Sequence, residues 1–300
     1  MSARESVLVL CVNYHSEEDA AHLAQEMLSQ EESCNLHLLM VDNSDSLGPE
    51  HQLQQMASQD RRLQILNPKA NLGYFGAAWY GMNHYLQTNP LPNWIIVSNP
   101  DILLPDQKFF STLFSLSPEG ERPAILAPTI ESALTGADQN PYIKVRPTAK
   151  MMVFRKWMFQ FYPVSIGYQL LALFKAKLRD LIGKSLAPTA KPKAGKIYAG
   201  HGSFIIFHKS FFEAGGTLKH GVFLFGEEIH VAESAQRLNL KSMYQPALRV
   251  IHNEHATTGI IKSRKMAQFQ KEATAYCASL FTGGQAASPT IHKEDALNDK

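Results

Sequence analysis

Cysteine is scarce in this chain, with three in 300 residues. Cys11, Cys34 and Cys277 lie far apart, form no C-x-x-C pair and sit in no zinc-ligand spacing, which argues against a disulfide framework or a structural metal. A dominant charge is also missing. Lys and Arg number 29 against 27 Asp and Glu, a net of +2, so bulk charge points neither to nucleic acid nor to an acidic partner. The dinucleotide fingerprint G-x-G-x-x-G and the P-loop G-x-x-x-x-G-K-[ST] do not occur. No internal repeat is visible. The apolar run VLVLCV after MSARES is too short for a signal peptide and lacks a small-residue cleavage site, so the sequence predicts a cytoplasmic protein.

What is present is alternation. Ser6–Asn13, Leu36–Val41, Leu63–Leu66 and Trp94–Ser98 are short apolar runs bounded by turn residues and read as buried strands. Helical patterns follow at Glu17–Gln30 (Ser16 as N-cap), Pro49–Ser58, Tyr74–Gln87 and Asp106–Leu116. Strand followed by helix four times predicts an α/β fold with a mostly parallel, doubly wound central sheet flanked by helices. Further along, Ile125–Ala127, Ile197–Phe207 and Ser242–His252 read as strands, and Phe223–Asn239 and Ala256–Phe281 carry helices. Residues 283–300 read as a flexible polar tail.

The ends of three of these strands are polar: Asn13-Tyr14-His15, Asp42-Asn43-Ser44-Asp45 and Asn99-Pro100-Asp101. One such cluster is ordinary turn chemistry. In a parallel sheet all three emerge on one rim, and open α/β sheets bind ligands at the carboxyl ends of their strands.

Charge is unevenly spread. Residues 144–196 hold twelve Lys or Arg against one acid, Asp180, leaving 17 basic and 26 acidic residues elsewhere. Within this insert, Trp157–Phe174 has no charged residue over eighteen positions. Pro163 and Gly167 weigh against a transmembrane span. The preferred reading is a basic amphipathic helical insert lying in the interface of an anionic membrane; the competing one is a helical flap or partner surface.

Asn71-Leu72-Gly73-Tyr74-Phe75-Gly76 follows a strand and opens a helix, a place where backbone can approach a phosphate. Taken in order, the strand ending at Asn13, the Asp42-Asn43-Ser44 end, NLGYFG, NPD, the acidic pair in FLFGEEIH and the histidine in RVIHNEH resemble glycosyltransferase family 2, in particular its bacterial rhamnosyltransferase-like branch. The resemblance covers about residues 6–130 and 196–260, with the basic insert outside it.

It implies the GT-A fold, with a nucleotide-sugar-binding half over 1–130, the insert over about 144–196, and an acceptor and catalytic half over 197–282, together one domain over 1–282. Asn13, Asp42, Asn71, Gly73, Gly76 and Asn99 would bind the nucleotide-sugar. Asp101 and His252, with His255 as the alternative, would hold Mg²⁺ or Mn²⁺, for which carboxylate oxygen plus phosphate is a suitable donor set. Glu228, with Glu227 as runner-up, would be the general base of an inverting transfer. The implied partners are a nucleotide-sugar donor, a glycan or lipid-linked acceptor and an anionic membrane surface, with no nucleic acid, on the inner face of the cytoplasmic membrane. The resemblance also has departures: Ala78-Trp79 where an asparagine is common, and His230 and Glu233-Ser234 where an aspartate and a Leu-Arg pair usually stand. They motivate a competing reading as a non-catalytic, transferase-like scaffold. A nucleotidyltransferase is a weaker third, because no glycine-rich, basic loop follows the first strand.

Overall fold

The computed structural model describes residues 5–30, 35–44, 51–116, 123–161, 163–164, 167, 193–254 and 264–283. Strands β1 (Val7–Asn13), β2 (Leu36–Asp42), β3 (Leu63–Leu66) and β4 (Trp94–Ser98) are apolar because both sheet faces are covered. On one face Val7, Val9 and Cys11 pack with Ala20, Leu23 and Met27 of α1 (Glu17–Leu28), Leu53 of α2 (His51–Gln59) and Phe109, Phe110 and Leu113 of α4 (Phe109–Ser115). On the other, Leu8, Leu10 and Val12 meet Phe75, Ala78 and Met82 of α3 (Tyr74–Leu86). The alternation of odd and even residues between two cores is the two-residue strand period at work.

The sheet runs β3-β2-β1-β4-β8-β6-β9-β5, where β5 is Ile102–Leu103, β6 Ile125–Ser132, β8 Phe204–His208 and β9 Ser242–His252. The first four strands are parallel. Beyond them pairing is mixed: β8 lies antiparallel between β4 and β6, β6 and β9 are parallel, and β5 and the short β7 (Gly195–Lys196) run antiparallel to β9.

Three sequence expectations are corrected. Ser16 precedes α1 but its hydroxyl does not cap it; its N–H donates to Asn13 Oδ1 instead. Asp106 does not start a helix: its carboxylate accepts the Lys108 N–H in a local turn, and α4 begins at Phe109. Ile197–Phe207 is not one strand, because Gly200-His201-Gly202 turns the chain and the ladder resumes at Phe204.

In the second half of the chain, α5 (Ala149–Met158) is capped by Thr148, whose hydroxyl accepts the Met151 N–H. A turn of helix, α6 (Ser210–Glu213), then α7 (Glu227–Arg237) and α8 (Arg264–Thr282) complete the order. Much of the basic insert beyond α5, the predicted tail, Cys34, Asp45 and His255 lie outside the described residues. Glu233, one of the departures, is buried in α7 and takes both Arg146 Nε and Nη2 (2.7 and 2.8 Å) and the Tyr198 hydroxyl (2.9 Å). The Arg146 guanidinium also lies over the Phe281 ring of α8, 4.6 Å from its centroid. Arg146→Ala leaves a buried carboxylate with a single hydroxyl partner from this knot. The expected loss is about 2–3 kcal/mol, read by urea unfolding.

Candidate active site

The rim of the parallel strands is built by side chains that satisfy one another. Asn13 and Asp42 stand opposite in register at the ends of β1 and β2. Asp42 Oδ1 accepts from Asn13 Nδ2 (3.2 Å) and the Ser44 N–H (3.1 Å), and Oδ2 accepts from Asn67 Nδ2 (3.3 Å). Asn43 clamps the next segment: its Oδ1 accepts the Leu72 N–H and its Nδ2 donates to the Gly73 carbonyl. Asn71 Oδ1 closes its own turn onto the Gly73 N–H. Gly73 sits at φ +73°, and a Cβ there would stand 1.9 Å from the Phe223 carbonyl oxygen. Gly73→Ala therefore combines backbone strain with a clash against main chain. A loss of at least about 2 kcal/mol is expected, measurable as a fall in Tm. Gly76 is milder, its missing Cβ facing Leu72 Cβ at 3.3 Å.

Asn99 and Asp101 follow β4. The Asn99 N–H donates to the Ser203 carbonyl, and the Asp101 carbonyl accepts the Asn253 N–H. Asp101 Oδ2 lies 3.3 Å from His252 Nε2, and Asp101 Oδ1 is buried with no hydrogen-bond partner. The His252 ring is oriented from behind: Gln139 Nε2 donates to Glu254 Oε1, which turns Gln139 Oε1 toward His252 Nδ1 at 2.9 Å. Nδ1 then carries the proton, and the Nε2 lone pair faces the Asp101 carboxylate. Two electron-rich atoms so placed call for a proton or a cation between them.

The acidic pair begins α7. Phe225 (φ +70°) and Gly226 (φ +87°) turn the chain just before it, and a Cβ at Gly226 would stand 2.6 Å from Cys277 Sγ. Glu227 is buried and its Oε1 has no partner; Glu228 is half-buried against Gly202, where a Cβ would come within 2.7 Å of Glu228 Oε1. A helix N-terminus favours negative charge. Burial outweighs it here and raises both acids above the usual carboxylate range, Glu227 further because of the neighbouring Glu228 charge.

Residues 200–203 join the two clusters. The His201 ring lies 5.8 Å from that of His252, Gly202 contacts Glu228 and accepts the Tyr74 hydroxyl at 2.9 Å, and Ser203 receives Asn99. The Tyr74 hydroxyl is raised by burial and then by Cys11, Glu227, Asp101 and Glu228, so it stands in the field of both clusters. Burial first, and the neighbouring His252 ring after it, pushes His201 down to about 4. Tyr142 packs edge-on to His201 and is pushed up to about 12, chiefly by Glu228.

His201, Tyr142, Gln139 and Glu254 were not singled out by the sequence; the glycines around His201 were the only signal. His230 is excluded from the cluster by its own bonds. Its Nε2 donates to the Thr217 carbonyl (3.0 Å) and its Nδ1 accepts the Tyr276 hydroxyl (2.6 Å).

No family model matches the chain. Over 250 residues it is 25% identical to the low-salt glycan biosynthesis hexosyltransferase Agl10 of Haloferax volcanii, covering 83% of this chain and 68% of that protein. Among solved structures, GalNAc-T7 with UDP, GalNAc and Mn²⁺ superposes with a TM-score of 0.58 at 12% identity. The match covers 90% of this chain and 48% of the other, so this chain spans about half of that neighbour's length. The fold is that of GT-A glycosyltransferases. A mycobacterial protein also matches, with a TM-score of 0.51 at 11% identity over 94% of this chain and 76% of that one.

Within the GT-A fold the chain is glycosyltransferase-like. Among the described residues no group of three or more His, Cys, Asp and Glu side chains is placed to hold a metal ion. Asp101 and His252 offer two donors, one of them an orphaned buried carboxylate oxygen. That set fits a divalent cation whose remaining positions are filled by phosphate oxygens and water.

Proposed function

We propose that the protein is an inverting, divalent-metal-dependent glycosyltransferase. It moves a sugar, rhamnose being one candidate, from a nucleotide-sugar to a glycan or lipid-linked acceptor in cell-surface polysaccharide synthesis, working peripherally on the inner face of the cytoplasmic membrane. One observation carries the reading: residues 200–203 bring the Asp101–His252 pair and the Glu227–Glu228 pair to one place, beneath the rim formed by β1, β2 and β4.

In this reading Asp42 and Asn13 take the nucleobase side, and the backbone of Asn71–Gly76, opened by Gly73, lies along the nucleotide. Asn99 borders the diphosphate. Asp101 and His252 would hold Mg²⁺ or Mn²⁺, which would supply neutralisation of charge on the departing diphosphate. Glu228 takes the proton of the acceptor hydroxyl as its oxygen forms the new bond to the anomeric carbon. The bond from that carbon to the diphosphate breaks on the opposite side, so configuration inverts. Glu227 shares the proton economy of the pair without touching the sugar.

The test is thermal stabilisation by UDP-, GDP- and dTDP-sugars with and without Mn²⁺, followed by the anomeric configuration of the product. Ligand that binds only the folded state raises Tm; about 100-fold excess over Kd adds about 2.7 kcal/mol. Stabilisation by a donor only with Mn²⁺, and an inverted product, are expected. No response to any donor under either condition overturns the reading.

A further inference from the structure

The two faces of α5 differ. Met152 is 3% exposed and packs with Tyr198, Ala199, Ile229 and Cys277. At 100° per residue, Lys150, Phe154 and Trp157 project from the opposite side, and Phe161 extends the same ridge into the turn that follows. Phe154 and Trp157 are each 59% exposed and Phe161 54%, with Met151, Val153 and Val164 also in solvent. Their rings line up, Phe154 to Trp157 and Trp157 to Phe161 both at 6.2 Å between centroids. Lys150 projects with them and Lys144 is exposed ahead of the helix, while Arg155 and Lys156 fall on the Met152 side; no Asp or Glu occurs from residue 139 to residue 179.

We propose that this aromatic ridge docks the protein on an anionic lipid bilayer, with Phe154, Trp157 and Phe161 in the headgroup–acyl boundary and Lys150 at the phosphates. The proposal rests on the transferase reading only for its consequence, given below. Charge selects the occupant. A second copy would bring an equally basic face to this one, and residues 175–196 of the same chain add seven cations and one acid, again of like sign. Anionic headgroups are the complementary surface, and an interfacial helix joins an apolar aromatic face to Lys and Arg in this way. No helix among the described residues is long and apolar enough to cross a membrane, so contact through a face is the available mode for α5.

The consequence is placement. Tyr198 and Ala199, which support Met152, also line the small cavity that holds Glu228. The docked helix is therefore separated from the carboxylate assigned as base by Met152 and the Tyr198–Ala199 layer, which suits an acceptor whose lipid stays in the bilayer.

The experiment uses the full chain with vesicles of phosphatidylcholine alone or mixed with phosphatidylglycerol. Sedimentation with the anionic vesicles, weakening as salt rises, is expected, together with a blue shift of Trp157 emission and quenching by brominated lipid. Lys150→Ala weakens binding about fivefold. Phe154→Ser/Trp157→Ser/Phe161→Ser reduces it tenfold or more while Tm is kept. No sedimentation at low salt, undiminished binding by the folded triple variant, or Trp157 emission already blue and unresponsive because protein covers the ridge, each overturns the proposal. Transfer to a soluble acceptor should be the same in wild type and triple variant. Failure of docking thus removes the membrane placement but leaves the transfer chemistry standing, and absence of transfer leaves vesicle binding as a separate result.

Discussion

Asp101→Asn is expected to lower transfer about 10³-fold, the equivalent of roughly 4 kcal/mol of transition-state stabilisation. Asparagine keeps the size of the side chain, so the fold and the Asn253 N–H bond to the residue 101 carbonyl survive. What disappears is the negative charge facing His252 Nε2 at 3.3 Å and the unpartnered Oδ1 behind it. The loss should appear both in kcat and in the Mn²⁺ concentration needed for half-maximal rate. Wild-type rates in the presence of excess EDTA, or in the variant, would show that the pair is a structural contact only. His252→Ala should behave similarly but less severely, since it removes a neutral donor. Gln139→Leu should mimic a fraction of it by freeing the ring.

Glu228→Gln is expected to reduce kcat by about 10²–10⁴ with donor affinity little changed, the signature of a lost general base. The pH profile distinguishes this from a binding defect. A base works deprotonated, and burial raises the pair, so the wild-type rate should climb with pH through a range above that of an ordinary carboxylate. Glu227→Gln should retain activity and leave that climb in place, because burial is what raises Glu228, whereas Glu227 is raised by burial and then by the Glu228 charge. Stability carries the same sign. Between the ordinary value of 4.5 and the raised one, the folded pair binds more protons than the unfolded pair, so stability falls as pH rises through that window. Glu227→Gln should flatten this fall, its Tm gain over wild type growing as pH increases. A parallel shift of both melting curves at every pH would reject the coupling.

Much of the sheet could be read before the structure. Leu63–Leu66, Trp94–Ser98 and Ser242–His252 keep their predicted bounds because each is an apolar or alternating run closed by turn residues. Asp42, Asp101, the acidic pair and His252 stood out for a related reason: each lies at or next to an element end, where a polar residue breaks an apolar pattern. The Gly200–Gly202 turn hid inside an aliphatic stretch that periodicity alone cannot divide. The partners of His252 were hidden by distance along the chain. Gln139 is 113 residues away from it, and only the β6–β9 pairing and the return of the chain through residues 138–140 bring them together. Glu233 was noticed as a departure; its use became clear from Arg146, which sequence placed in the insert and structure places on α7 and α8.

Residues 200–203 run between the parallel strands and the mixed ones, touching Asn99 and Tyr74 on one side and Glu228 and His252 on the other. Such a seam makes the two flanks exchangeable as modules. Grafting residues 141–199 of a homologue onto this chain should retarget what receives the sugar and leave the choice of activated sugar untouched, provided the residue at 233 is exchanged together with Arg146 as a matched couple.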